Sequence, residues 1–102
     1  MSSIIAYSQV VEAVLSKEAW DETYFSLLSL KSHLQSLPGW QRIDIWAQEK
    51  SSEDVKVLVV TNWDFPEQLS SWVEYGVSVD AILRAMQPPP RSVNVNYFEE
   101  IG

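Results

Sequence analysis

The residues best suited to bind a ligand are four aromatic side chains, Trp20, Tyr24, Trp63 and Trp72. This is a large number for a chain of 102 residues, and aromatic faces stack well on flat, hydrophobic molecules. The helical spacing around Trp20 and Trp72 also suits the core of a domain. Trp63 stands at the end of a predicted strand, so it is the better candidate for a pocket.

The single histidine, His33, is the natural candidate for a general base or a metal ligand. On a helical wheel it lies away from the stripe of Trp20, Tyr24 and Leu27, so we expect it to be exposed. The chain has no cysteine, which excludes disulfides, thiol nucleophiles and thiolate metal sites. Its three glycines cannot form a nucleotide-binding loop. We therefore predict no metal and no cofactor.

The charge of the chain excludes several partners. Fourteen acidic and seven basic residues give a net charge of −7, which argues against binding nucleic acid or an anionic membrane. The sequence shows neither a signal peptide nor an apolar stretch long enough to span a membrane. We expect a cytoplasmic protein with a single domain over residues 1–102.

The hydrophobic pattern of the first half predicts a strand, a helix and two more strands. β-Branched residues indicate a strand over residues 4–14. Ser16 is the predicted N-cap of a helix that ends at Pro38-Gly39. Strands over residues 40–49 and 55–63 follow, joined by a short polar loop.

The second half predicts a divided helix and a last strand. Asp64 is the predicted N-cap, with Glu67 at the spacing of a capping box. The helical pattern is interrupted near Gly76 and resumes over residues 79–86. The three prolines at 88–90 are interpreted as a stiff connector to a strand around residues 93–97, with a polyproline ligand as the alternative.

The order β-α-β-β-α-β is that of the ferredoxin-like α+β fold, a four-stranded antiparallel sheet with its helices on one face. The third strand is apolar on both faces, with Val57 and Val59 on one and Leu58 and Val60 on the other. Two helices cover only one face, so we expect a homodimer through the sheet faces.

Tryptophans of the second strand offer an alternative to the dimer. Strand alternation places Arg42 and Asp44 on the same face as Trp40 and Trp46. The two tryptophans could cover the open face locally. The charged pair could lie at a pocket or interface, or form an exposed ion pair of little energetic value.

Three stretches resemble the antibiotic biosynthesis monooxygenase-like domains of the dimeric α/β-barrel superfamily. Leu37-Pro38-Gly39-Trp40 is similar to the Pro-Gly-aromatic sequence that precedes the family's second strand. Residues 57–63, VLVVTNW, resemble its third strand, which ends in tryptophan, and residues 69–72, LSSW, resemble the helix that follows. The resemblance covers nearly the whole chain.

The resemblance implies a dimer of sheets with one pocket per subunit, between helices and sheet. Some members oxidise polycyclic phenols without metal or flavin, because the deprotonated substrate itself reduces dioxygen. Trp63 matches the family's pocket tryptophan, whereas Ser8 or Gln9 stands where members place a functional asparagine. A haem-degrading relative uses a histidine of the second helix, but residues 80–86 contain none, so haem degradation is not expected.

We therefore expect a cofactor-independent monooxygenase-like protein that acts on an aromatic or quinol-type small molecule. Trp63, Tyr24 and Trp72 are the predicted substrate-binding residues, and the sequence assigns no acid or base. The alternative is a non-catalytic homodimer that binds a hydrophobic small molecule.

Overall fold

The order of elements agrees with the prediction in a computed structural model that describes residues 4–102. The elements are β1 (Ala6–Ser16), α1 (Lys17–Leu34), β2 (Trp40–Glu49), β3 (Asp54–Trp63), α2 (Pro66–Tyr75), α3 (Val79–Arg84) and β4 (Ser92–Glu100). The predicted second helix is α2 and α3, separated at Gly76. None of the helices in the described part of the chain has the length and apolar character needed to cross a membrane.

The four strands form one antiparallel sheet in the order β2-β3-β1-β4. This arrangement confirms the ferredoxin-like fold. β1 pairs with β3 on one side and with β4 on the other over nearly its whole length. Residues of three strands therefore lie in straight rows across the sheet, with side chains on the same face.

One face of the sheet carries the core. Alternate residues of β1 and β3 on this covered face are buried beneath the helices, and α1 and α3 contribute leucines to the same cluster. The fully buried members include Val11, Leu15, Val59, Leu27 and Leu83. Because burying a Val or Leu side chain contributes roughly 1.5–3 kcal/mol, this cluster fixes which face the helices cover.

The opposite face, called the open face, is covered by none of the helices formed by residues 4–102. Its centre holds Leu58, Val60 and Val10, all only partly buried. Trp46 and Phe98 lie toward its two edges and are 64% and 58% exposed. Trp46 lies opposite Leu58, and Leu58, Val60 and Val10 all stay partly exposed beside it, so the tryptophan does not bury the centre of the open face.

A register shift in β2 separates Trp40 from the charged pair. Trp40 lies opposite Trp63 on the covered face, whereas Arg42 lies opposite Asn62 on the open face. The expectation that Trp40 shares a face with Arg42 and Asp44 was wrong, because one extra residue in the strand reverses the alternation. Arg42 Nε donates to Asp44 Oδ2 at 3.1 Å in an exposed ion pair.

The bounds of α1 differ modestly from the prediction. Ser16 is its N-cap as predicted, and the Ser16 hydroxyl accepts a hydrogen bond from the backbone N–H of Glu18 at 3.2 Å. The helix ends at Leu34, before the Pro38-Gly39 turn. Gly39 has φ +81°, a left-handed conformation that favours glycine.

The N-cap of α2 is a different residue from the predicted one. Phe65, rather than Asp64, occupies the N-cap position and makes no side-chain capping bond. The Asp64 carboxylate instead accepts a hydrogen bond from Gln41 Nε2 at 2.9 Å, which joins the end of β3 to β2. Pro66 occupies the first turn, as predicted.

Candidate functional site

Helix α2 stands between two clefts. The larger, here the β4 cleft, has a volume of about 570 Å³ and lies between α2 and strands β1 and β4. Its lining includes Tyr7, Tyr97, Phe98, Pro66, Leu69 and Val73. The smaller, here the helix cleft, has a volume of about 430 Å³ and lies between α2 and the end of α1. Its lining includes His33, Leu37, Trp63, Gln68, Trp72 and Tyr75.

Two rows of residues across the sheet build the floor beside α2. In the first row Trp63 of β3 lies opposite Tyr7 of β1, and Tyr7 lies opposite Glu99 of β4. In the second row Thr61, Gln9 and Tyr97 occupy the same three strands. Opposite residues in an antiparallel sheet have Cβ atoms about 4.5–5.5 Å apart, so each row is a continuous surface.

The second row contains an unusual buried polar group. Gln9 is 1% exposed, opposite the buried Thr61, and its Nε2 donates to the Tyr97 hydroxyl at 3.3 Å. Gln9 Oε1 has no partner among the described residues. Beside it, Trp63 Nε1 donates to Thr61 Oγ1 at 3.2 Å. The row therefore lies between the predicted pocket tryptophan and a tyrosine that lines the β4 cleft.

The structure brings two of the three predicted binding residues together. The rings of Trp63 and Trp72 stack with centroids 5.2 Å apart and an interplanar angle of 30°. Both side chains are buried and belong to the core cluster. They contribute to the wall of the helix cleft, and Trp63 supports Tyr7 of the β4 cleft from the adjacent strand.

Tyr24, the third predicted residue, lies elsewhere. It is 43% exposed on α1 and packs against Trp20, with ring centroids 5.8 Å apart. It lines neither cleft. Thr23 and Leu27 form the buried side of α1, and Tyr24 is turned about 100° from Thr23 because an α-helix has 3.6 residues per turn. Tyr24 therefore contributes to neither of the two clefts.

His33 is exposed, as the helical wheel predicts, and lines the helix cleft at the end of α1. The β4 cleft lies on the other side of α2, and its lining contains no histidine. Within residues 4–102 no three His, Cys, Asp or Glu side chains lie close enough together to hold a metal ion.

Sequence reasoning missed Tyr7, Tyr97 and Glu99 as cleft residues. The alternation of β4 could have shown that Tyr97 and Glu99 share a face, but not that they lie beside β1. The structure also distinguishes Gln9 from Ser8. Gln9 faces the helices, whereas the Ser8 hydroxyl donates to Asn62 Oδ1 at 2.6 Å on the open face.

Comparison with known proteins identifies the fold. No protein-family model and no curated protein matches the sequence. Solved structures do match, among them a Nitrosomonas europaea protein provisionally assigned as an antibiotic biosynthesis monooxygenase. That structure has a TM-score of 0.69 at 10% identity over 99% of this chain and 95% of that one. The chain has the fold of the antibiotic biosynthesis monooxygenase-like domains.

Two further structures with this fold have described activities. SnoaB of Streptomyces nogalater, a cofactor-independent oxygenase, has a TM-score of 0.64 at 13% identity, over 91% of each chain. MhuD of Mycobacterium tuberculosis, a haem degrader with two haems in its active site, has a TM-score of 0.62 at 19% identity. The match covers 93% of this chain and 96% of MhuD. The antibiotic biosynthesis monooxygenase-like fold predicted from the resemblance is confirmed.

The β4 cleft does not fit haem in the way that the resemblance implies. That arrangement needs a histidine of the second helix as iron ligand, and α2 and α3 contain none. The α2 residues that line the cleft are Pro66, Leu69, Ser70 and Val73. None of these side chains ligates iron, so we derive no step through haem.

Proposed function

We propose that this protein is a cofactor-independent monooxygenase-like protein that binds an aromatic or quinol-type small molecule in the β4 cleft. The observation that carries the proposal is the lining of this cleft. Aromatic side chains of β1 and β4 form one wall and apolar side chains of α2 form the other. Such a slot suits a flat ring, because aromatic faces stack and apolar walls exclude water.

In the chemistry that this arrangement supports, the electrons that reduce O₂ come from the substrate. A ring CH₂ group conjugated with a phenolate reacts with O₂ to give C=O and water. The substrate supplies all four electrons, so no external reductant is needed. The protein would bind, orient and desolvate the ring. The likeness of the fold to that of SnoaB, a cofactor-independent oxygenase, supports this activity.

Within this proposal the predicted tryptophans act from beneath the cleft. Trp63 is buried next to Tyr7 and holds its position, while Trp72 packs on Trp63 from α2. Tyr7 and Tyr97 present the ring surfaces and hydroxyl groups that meet the substrate. Trp63 and Trp72 are therefore positioning residues for the wall of the site.

We also propose that two copies pair through their open faces. Leu58, Val60 and Val10 are apolar residues at the centre of that face, and Phe98 extends it to the rim of the β4 cleft. A second copy would cover these residues by an isologous contact. Stable interfaces of this kind bury on the order of 1,200–2,000 Å². Pairing would also shield the Phe98 wall of the cleft from water.

Two neighbouring serines of α2 allow a direct test. Ser70 lines the β4 cleft and Ser71 lines the helix cleft, and both are exposed. We expect the wild type to consume oxygen with an easily deprotonated polycyclic phenol, without added metal or flavin and in the presence of a chelator. Ser70→Trp should abolish oxygen uptake by filling the β4 cleft, and the matched control Ser71→Trp should retain it.

The readouts are an oxygen electrode and mass spectrometry of the product, which should gain one oxygen and lose two hydrogens. No turnover across a panel of such phenols would contradict the oxygenase proposal. Equal loss of activity in the two tryptophan variants would contradict the assignment to the β4 cleft.

The alternative is a homodimer that binds a hydrophobic small molecule without changing it. The stacked, buried tryptophans and the apolar cleft support binding in this case too. Native mass spectrometry of the purified protein separates the two functions. An intact ligand that persists in oxygenated buffer supports the binder, whereas an oxidised ligand contradicts it.

A further inference from the structure

We propose that the β4 cleft selects the ionised form of an oxygen-bearing ring, and that Tyr97, oriented by Gln9, donates the hydrogen bond that selects it. The proposal deepens the proposed function and rests on it. It assigns Tyr97 as the residue that touches the ligand oxygen and Gln9 as a positioning residue.

The burial of Gln9 is the first observation. A primary amide buried between sheet and helices is costly unless its donors and acceptor are satisfied. Gln9 is 1% exposed, and its neighbours along β1 on the same face are Tyr7 and Val11. Its one side-chain hydrogen bond goes to the Tyr97 hydroxyl. A group held at this cost and bonded to a cleft residue points to a role in that cleft.

The direction of this hydrogen bond is the second observation. Gln9 Nε2 is the donor and the Tyr97 oxygen is the acceptor. The Tyr97 hydroxyl proton is then free to point toward a ligand. Tyr97 is 56% exposed and lines the cleft, so a bound ring can reach it. A hydrogen bond to a phenolate is roughly twice as strong as one to a neutral phenol.

Trp63 and Thr61, on the strand next to Gln9, extend the same direction of hydrogen-bond donation. Trp63 Nε1 donates to Thr61 Oγ1, and Thr61 lies directly opposite Gln9. Gln9 Oε1 has no partner among the described residues, and one water between it and the Thr61 hydroxyl would align every donor in the row toward Tyr97. Hydrogen bonds in such a chain polarise one another. The buried Trp63 would thereby act on the ligand through Tyr97.

The charges around the cleft show why a directed donor is needed. Glu99 is the one carboxylate of the lining, and Tyr7 and Tyr97 are the other titratable groups. The α2 wall contributes Pro66, Leu69, Ser70 and Val73, none of which titrates. With a net charge of −7, the protein repels an anion overall. Preference for an ionised ring must therefore come from the local donor.

The test uses 4-nitrophenol, because its visible absorbance distinguishes phenolate from phenol. Nitrobenzene is the matched probe without the ionisable oxygen. On binding to the wild type, the apparent pKa of 4-nitrophenol should fall by about one unit, which equals a tenfold preference for the phenolate. In Tyr97→Phe this shift should disappear, while the affinity for nitrobenzene stays within about twofold.

Variants of the supporting row test the positioning role. Gln9→Met keeps the length of the side chain and the Tyr97 ring, and should remove most of the shift. Thr61→Val should reduce it partly, and Glu99→Gln should increase it by removing the nearby negative charge. Circular dichroism checks folding, and the exposed Tyr97 remains a valid test if Gln9→Met does not fold.

The outcomes separate this proposal from the proposed function. Nitrobenzene binding that Ser70→Trp blocks, together with an unshifted pKa of 4-nitrophenol, overturns the role of Tyr97 and leaves the cleft in place. A shift that persists in Tyr97→Phe also overturns it. Failure of both probes to bind contradicts the cleft itself.

Discussion

At the scale of single residues, packing gives Trp63 and Tyr24 different surroundings: Trp63 is 1% exposed and Tyr24 is 43% exposed. Trp63 ends β3, and its ring lies in the core next to Tyr7 of β1. Tyr24 has the same aromatic character but lies on the exposed side of α1. Residue type alone could not separate the two, because the distinction depends on how each element packs.

Gly39 allows a prediction at this scale. Its φ of +81° is unfavourable for any side chain, and a Cβ there would lie 1.5 Å from Gln68 Oε1. We expect Gly39→Ala to lower the free energy of unfolding by about 1–3 kcal/mol, measured by urea denaturation. Gly39→Ala combined with Gln68→Ala removes the clash but keeps the unfavourable φ. The double variant should therefore recover only part of the loss, and full recovery would contradict a role for the backbone conformation.

At the scale of elements, alternation and helical periodicity predicted the order and the faces of the strands. They could not predict register, which depends on contacts between distant segments. The extra residue near Gln41 is the clearest case, since it moves Trp40 to the covered face with no signal in the sequence. The cleft residues of β4 escaped prediction for the same reason. Tyr97 is recognised as a site residue only from its hydrogen bond with Gln9, which is 88 positions away in the sequence.

The junction of α1 with the sheet gives a prediction about ionisation. Lys17 Nζ, at the start of α1, contacts Glu49 Oε1 at 2.5 Å. This hydrogen bond and the charge of Lys17 lower the pKa of Glu49. In Lys17→Met we expect the pKa of Glu49 to return toward its ordinary value, as measured by NMR titration of its side-chain carboxyl carbon.

The sign of the effect on stability follows from linkage. Because the pKa of Glu49 is lower in the folded state, the pair stabilises the fold above the unfolded-state pKa. That contribution is lost as the pH falls through the folded-state pKa. Lys17→Met should therefore weaken the dependence of stability on pH in this acidic range. An unchanged Glu49 titration would show that the contact does not persist in solution.

At the scale of the whole molecule, the two faces of the sheet differ in what covers them. The covered face combines core and cleft, since the row of Val59 and Val11 lies next to the row of Gln9 and Tyr97. The open face carries Leu58 and Val60 without a helix. The strand pattern predicted that one apolar face would stay uncovered, because β3 is apolar on both faces and the predicted helices cover only one of them.

The open face supports the last prediction, that the protein is a dimer which Leu58→Lys dissociates. A lysine at the centre of an apolar, self-complementary contact places two like charges close to the symmetry axis, and burying them is costly. In the folded monomer the same position borders solvent, so the fold should survive. Val77→Lys is the matched control, because Val77 is 58% exposed and lies between α2 and α3, outside the sheet. Sedimentation at micromolar concentration should show wild type and Val77→Lys at twice 11.7 kDa and Leu58→Lys at 11.7 kDa. A wild-type particle of 11.7 kDa would contradict the pairing of two copies through the open face.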